Sequence, residues 1–505
     1  MEKRSTRKSS ILAERAAGIL LPVFSLPSPH GIGTMGKAAY EFADFLAAAG
    51  QKIWQVLPLS PTGYGDSPYA SFSVFAGNPY LIDLDMLAEE GLLTAEEVAA
   101  CDFGSDPRRV DYGRLYQERL PLLHKAFERD DYLERADYKR FSDENDDWLP
   151  DYALFTALKS EFSGMPWLDW PDKGARDRKS STLLKYRKKL SKEIAFCEYV
   201  QYLFFKQWKK LKAYCNSLNI SIVGDIPIYC ALDSSDAWSD HKQFMLGADR
   251  RPTLVAGVPP DAFTEDGQLW GNPLYDWDYM KKDGYGWWIR RFRCAKRLYD
   301  VIRIDHFRGL ESFWAVPAGD TTARNGSWLP GPGMSFISAV KKAIPRLSLI
   351  AEDLGYITPE VAKLLKDSRC PGMKVLEFAF QPGAKSDYCP FRIGKNSVCY
   401  IGTHDNSPVL LWQYEMDPGD IEFAKKYLGY TKKEGLPYMM LRGGMECNAN
   451  TFIAQMQDYL ELGEGSRINS PGTSEGNWQW RMLEGEASTK LAARIRDLTE
   501  TYGRL

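Results

Sequence analysis

Four acidic residues stand where apolar runs turn polar: Asp225 in VGDIPIY, Asp305 in VIRIDHF, Glu352 in LIAEDLG and Asp405 in YIGTHDN. Taken singly, each reads more readily as a helix cap or a loop carboxylate than as a reactive group. Four in one context, two of them flanked by Arg303 or His404, point to a shared site. Cleavage of a glycosidic bond needs such a set and no Ser or Cys nucleophile. One carboxylate attacks or supports the sugar carbon, and a carboxylic acid of raised pKa protonates the leaving oxygen. The competing chemistry is a divalent metal held by carboxylates from successive strands. Arg303 weighs against the metal. Residues 303 and 305 share one side of a strand, so a fixed cation lies beside Asp305, favouring its charged form and repelling a divalent ion. An ionised Asp held by Arg suits a nucleophile.

The elements that must position these residues are legible in part. GILLPVF (18–24) is a short apolar run. A helical stripe of Phe42, Phe45, Leu46 and Ala49 follows, closed by Gly50, and KIWQVLPL (52–59) begins the next run. Runs beginning at Ser221, Leu298, Leu347, Met373 and Ser397 repeat the pattern, with Thr358 and Pro359 capping a helix on Val361, Leu364 and Leu365. Near-continuous apolar strands alternating with helices predict a parallel sheet. With SRINSP (466–471) as the eighth strand, the count predicts a (β/α)8 barrel whose reactive residues sit at the C-terminal strand ends. The alternative is an open doubly wound sheet. HGIGTMG (30–36) lacks the spacing of a dinucleotide loop, so no nucleotide site is expected there.

We expect a single barrel domain over 1–505 carrying two insertions. The interval 87–212, between the second and third strands, is far longer than a βα connection and is expected to be a helical subdomain. The interval 230–298, rich in Pro, Gly, Asp and Trp, is expected to be a loop-rich cover over the active site. LKYRKKLSK (184–192) reads as a solvated helix face.

The 64 basic and 67 acidic residues leave a net charge of −3, so nothing here favours nucleic acid or an anionic membrane as a partner. Nine cysteines without a C-x-x-C pair read as reduced thiols of a cytoplasmic protein. Lys3, Arg4, Arg7 and Lys8 before the apolar run 16–24 imitate a signal peptide, but Pro22 interrupts the run and no A-x-A site follows. No run approaches the roughly 18 apolar residues of a membrane span.

GDIPIY, RIDHFRG, AEDLG and GTHDN, in this order, resemble the four short regions that mark the α-amylase clan, in the version found in the 4-α-glucanotransferases of the amylomaltase, or disproportionating enzyme, family. PLSPTGYGDSPYASFSVFAGNPYLIDL, GVPPDAFTEDGQLWGNPLYDW and RINSPGTSEGNWQWR are similar to that family too, so the resemblance covers nearly the whole chain. The end of the sequence soon after Trp480 and Arg481 is in keeping with a family without a separate C-terminal β-domain. The resemblance implies a retaining double displacement on α-1,4-glucans, which serve as both donor and acceptor, with no metal and no cofactor. It implies that Asp305 is the nucleophile, held by Arg303, that Glu352 is the general acid and then base, and that Asp405 stabilises the oxocarbenium-like transition state. His404 and Asp225 would hydrogen-bond the same sugar ring, Tyr64 would stack on it, Trp270 and Asn272 would lie on a loop covering the glucan, and Asn469 would contact the donor. IPIY stands where most of the clan has a histidine after the first-region Asp, as in the amylomaltases. An α-glucan hydrolase and a catalytically inactive glucan-binding protein are the alternatives.

Blander readings accompany these. With 15 Trp, 27 Tyr and 24 Phe in the chain, an aromatic residue is usually core. Alternation points His306 and Asp353 away from Asp305 and Glu352, which reads as structural, and Cys230 reads as a small core thiol.

Overall fold

The computed structural model describes residues 10–260, 264–473 and 475–505, with the side chain of Tyr64 left undescribed. Among the described residues twelve strands are present: β1 Ala16–Leu20, β2 Ile53–Gln55, β3 Ser221–Ile226, β4 Leu254–Val258, β5 Gln268–Pro273, β6 Val301–Ile304, β7 Ser312–Pro317, β8 Ser327–Pro330, β9 Leu349–Ala351, β10 Gly372–Val375, β11 Ser397–Tyr400 and β12 Thr451–Gln455. Eight of them close a parallel barrel in the order β1-β12-β11-β10-β9-β6-β3-β2. Its strands are buried over almost every residue, as expected where helices cover the outside and side chains fill the inside.

The eighth strand is β12, not residues 466–471. TFIAQ is buried throughout and pairs with β1 from Ala16↔Thr451 to Leu20↔Gln455. SRINSP is a loop beyond the strand end; Asn469 bonds there to the main chain of His404, and Trp478 to that of Ile468. The run FIA is only three apolar residues long, so periodicity alone does not mark β12, and its strand character comes from pairing with β1 and β11.

The predicted helix forms over Lys37–Ala48 with Phe42, Phe45 and Leu46 buried, and Gly50 ends it with φ +70°. Thr358 caps the helix Pro359–Ser368 through the Val361 amide. At Gly224, in β3, a side chain would strike the ring of Tyr299, since a Cβ would lie 2.1 Å from Cδ1. The glycine lets β3 lie close to the segment that leads into β6.

Residues 87–212 are helical, including Tyr112–Arg129, Leu149–Glu161 and Ser180–Lys189. Phe155, Leu158, Trp167, Trp170 and Tyr186 build a second apolar core there, and Trp238 from the next long connection completes it. On Ser180–Lys189, Leu183 and Tyr186 face this core while Lys185, Lys188 and Lys189 are exposed, the solvated face foreseen. The final helix, Ser191–Ser217, runs past residue 212 and packs on β3, with Trp208 Nε1 donating to the Leu298 carbonyl at 2.9 Å. Its C-terminal half belongs to the barrel layer through Trp208, while Tyr199 in its first half packs on Phe127 and Tyr132 of the insertion. Gly286–Leu298 likewise packs on β3 and β6.

The connection after β3 is more ordered than a loop. Its strands β4 and β5 join β7 and β8 in an antiparallel sheet of order β5-β4-β7-β8. This sheet carries Trp270 and Asn272 on β5. All nine cysteines are free. Among the described residues no helix is long and apolar enough to cross a membrane.

Candidate active site

Asp225 is the penultimate residue of β3, Asp305 follows β6 and Glu352 follows β9. The barrel ladder continues past the strands. Asp305 N donates to the Ile226 carbonyl and Glu352 N to the Ile304 carbonyl, each at 3.0 Å. Both carboxylates are thereby fixed on the C-terminal rim of neighbouring strands, where barrel enzymes do chemistry.

Arg303 ties two of the acids together. Its Nη1 lies 2.6 Å from Asp225 Oδ2 and 2.9 Å from Asp305 Oδ1, and its side chain is only 4% exposed. The shared side predicted for 303 and 305 is what the strand delivers. A buried guanidinium between two carboxylates offsets its own desolvation with two charge-assisted bonds. Asp225 is itself buried, which raises its pKa against the pull of Arg303.

Glu352 stands in a different environment. Its Oε2 accepts the His306 amide and its Oε1 the Leu354 amide, each at 2.7 Å. Burial outweighs these bonds and the Arg303 charge, and with the Asp305 charge adding to it the carboxyl is pushed up to about 7. A carboxylic acid that keeps its proton near neutrality beside an arginine-bound aspartate is an arrangement suited to dividing labour between an acid and a nucleophile.

His306 departs from strand alternation because the chain turns there, with φ 48° and ψ 50°. This left-handed conformation is uncommon for a residue with a side chain. It aims the amide at Glu352 and packs the imidazole edge-on against Trp270, centroids 4.9 Å apart. Burial lowers the His306 pKa to about 4, so the ring is neutral. Asp353, on the opposite side, accepts the Met373 amide at 2.6 Å and joins β9 to β10. Burial pushes the Cys230 thiol above its usual range, leaving it unreactive.

Asp405 is the most open of the acids, with 42% of its side chain exposed. Asn469 Nδ2 donates to its Oδ1 at 2.6 Å and His404 Nε2 lies 3.4 Å from the same oxygen. His404 is buried. Trp270 is 37% exposed on β5, and Asn272 Nδ2 donates to the Cys230 carbonyl at 2.9 Å, fastening β5 to the segment after β3.

Tyr64 begins the turn Tyr64–Asp66, and its side chain lies outside the described residues. Among the described side chains, Tyr69, which sequence reasoning passed over, is one that reaches the acids. Its hydroxyl donates to Asp225 Oδ2 at 2.7 Å and its ring stacks on His404, centroids 5.2 Å apart and 10° from parallel. It occurs five residues after Tyr64 in GYGDSPYAS, and no local spacing distinguishes the two. Arg467 was also missed. Its guanidinium contacts the loops of both Asp405 and Asn469.

Barrel and rim together define the class: an enzyme of the (β/α)8 type with a set of carboxylates gathered at its C-terminal mouth. The chain belongs to the 4-alpha-glucanotransferase family, whose model matches residues 21–486. A 4-alpha-glucanotransferase of Streptococcus pneumoniae is 47% identical over 498 residues, covering 98% of each chain. The chloroplastic/amyloplastic 4-alpha-glucanotransferase of Solanum tuberosum is 40% identical over 503 residues, 97% of this chain and 87% of that one. Among solved structures, the amylomaltase from Streptococcus agalactiae in complex with acarbose superposes with a TM-score of 0.95 at 40% identity, covering 97% of this chain and 100% of that one.

Proposed function

We propose that the protein is a 4-α-glucanotransferase that moves α-1,4-glucan segments between maltodextrins by a retaining double displacement. In the first half, an Asp305 carboxylate oxygen bonds to the anomeric carbon as the glycosidic C–O bond breaks, and Glu352 gives its proton to the leaving oxygen. In the second, Glu352 takes the proton of an acceptor 4-hydroxyl, whose oxygen displaces Asp305. Two inversions at one carbon retain the α configuration.

The observation that carries this reading is the contrast between Asp305, bonded to Arg303, and Glu352, protonated up to about pH 7. In our reading Asp405 steadies the developing positive charge. His404, Asn469 and Arg303 hold the sugar or the acids, and Asp225 acts on the same ring through Arg303 and Tyr69. Trp270 and Asn272, on the sheet strand over the mouth, cover the bound glucan. The chain is read as one catalytic barrel, 1–505, in which the intervals 87–212 and 230–298 are insertions apart from the helices that end them, Ser191–Ser217 and Gly286–Leu298, which pack on the barrel. The thiol-only cysteines support a cytoplasmic setting, and a net charge of −3 offers nucleic acid and membranes no electrostatic partner.

Transfer exchanges one α-1,4 bond for another at little net free energy, so competition with water is decided kinetically, by what covers the mouth. Incubation with maltotriose tests the reading: glucose together with a ladder of longer maltodextrins is expected. Maltose and glucose alone would make the protein a hydrolase, and no products a binding protein.

A further inference from the structure

Asp305 and Glu352 directly follow their strands, so the barrel aims them. Asp405 does not share this support, because it lies five residues beyond Tyr400, the last residue of β11. Within its own segment the turn is closed by Thr403 N and Oγ1 donating to Asn406 Oδ1 and by Asp405 N donating to Thr403 Oγ1. Asn469 sits in a second irregular segment, the loop after β12. A carboxylate and an amide that meet at 2.6 Å from two loops require something to set the loops against each other.

A main-chain bond, Asn469 N to the His404 carbonyl at 3.2 Å, joins the two segments at one point, and a single guanidinium joins them at three. Arg467 Nη2 donates to the Asp405 carbonyl, Nε to the Asn469 carbonyl and Nη1 to Ser407 Oγ, each at 2.8 Å. Ser407 Oγ donates in turn to Glu415 Oε1 at 2.8 Å, and that carboxylate lies 3.5 Å from Arg467 Nη1. The charge of Arg467 is thus balanced by Glu415 on the outside. All three of its directed donors go to the segments that carry Asp405 and Asn469, and none goes to the Asp405 carboxylate. A planar fork of fixed donors is suited to this, and a lysine ammonium, a point charge on a flexible stem, is not.

We propose that Arg467 is a positioning residue: it locks the loops after β11 and β12 in register, so that Asn469 orients the Asp405 carboxylate toward the sugar. The proposal rests on the role given to Asp405 above. Displacing a transition-state group by about 1 Å costs on the order of 10²-fold in rate. Arg467→Ala should therefore lower kcat for maltotriose disproportionation by about 100-fold, with a much smaller change in KM.

The test compares R467A, R467K, S407A and D405N, measuring kcat, KM and Tm for each, with and without millimolar guanidinium. R467A is expected to fold, to lose kcat and to regain part of it when guanidinium fills the vacated position. R467K should remain impaired despite its charge, and S407A, which removes one partner, should lose less. D405N should be inactive and unrescued. Full activity in R467A or R467K overturns the proposal, as does a loss that tracks Tm and is not rescued by guanidinium. If R467A fails to fold, wild-type kcat in R467K alone overturns it equally. Wild-type activity in D405N would instead overturn the role of Asp405, separating the two failures.

Discussion

The main-chain amide of His306 donates to Glu352 Oε2 at 2.7 Å, so the residue after the candidate nucleophile holds the candidate acid. The left-handed turn at His306 makes this bond, and with it the chain couples the ends of β6 and β9. The acid is then fixed relative to the nucleophile by backbone geometry, independently of any rotamer of Asp305.

Glu352 must carry its proton to act as the acid, and burial holds its carboxyl up at about 7. We expect kcat/KM for maltotriose to fall as pH rises through this value. Glu352→Gln should remove that limb and lower kcat by roughly 10³-fold. A basic limb that persists unchanged in the variant would assign it to another group.

Asp305→Asn keeps the shape of the site and an oxygen for Arg303, but removes the attacking charge. Turnover should fall by roughly 10⁴-fold while maltodextrin binding, followed by Trp fluorescence or calorimetry, persists. Turnover near wild type would exclude Asp305 as the nucleophile.

Tyr69 offers two separable contributions, a hydroxyl on Asp225 Oδ2 and a ring on His404. Tyr69→Phe removes only the charge-assisted bond, worth about 1.5–3 kcal/mol, so kcat/KM should drop by roughly 10- to 100-fold. Tyr69→Ala should drop it further. Equal losses in both variants would mean that the ring contributes nothing.

Trp270 lies over the mouth against His306 and is partly exposed. Trp270→Ala should open a path for water and raise the ratio of glucose-releasing hydrolysis to transfer, read from reducing ends formed per transfer product. An unchanged ratio would place water exclusion elsewhere.

Asp458 is buried, with Oδ1 accepting the Val409 amide at 2.9 Å and Oδ2 unpartnered. Burial raises its pKa from 3.8 to about 7. The folded state therefore holds this proton more tightly than the unfolded one. The associated stability is complete below the unfolded pKa and is lost as pH rises through about 7, by up to about 4 kcal/mol. Asp458→Asn should raise Tm relative to wild type near pH 8 and bring little gain near pH 5. Parallel Tm curves for the two proteins across that range would show that Asp458 is ionised throughout.

Sequence by itself determined what depends on neighbours along the chain. The apolar runs marked seven of the eight barrel strands, and the helices Lys37–Ala48 and Pro359–Ser368 followed from stripe and cap. The pairing of Arg303 with Asp305 followed from period-two alternation. Tertiary structure decided what depends on partners far away. β12 is a strand because β1 and β11 flank it, and TFIAQ alone does not say so. Tyr69 reaches an aspartate 156 positions distant, and Arg467 meets the Asp405 carbonyl 62 positions before it. A short loop's residues do not record which strand end the loop will cover. Closing the barrel settles that, because it brings all eight strand ends to one rim and sets the loops in contact with one another.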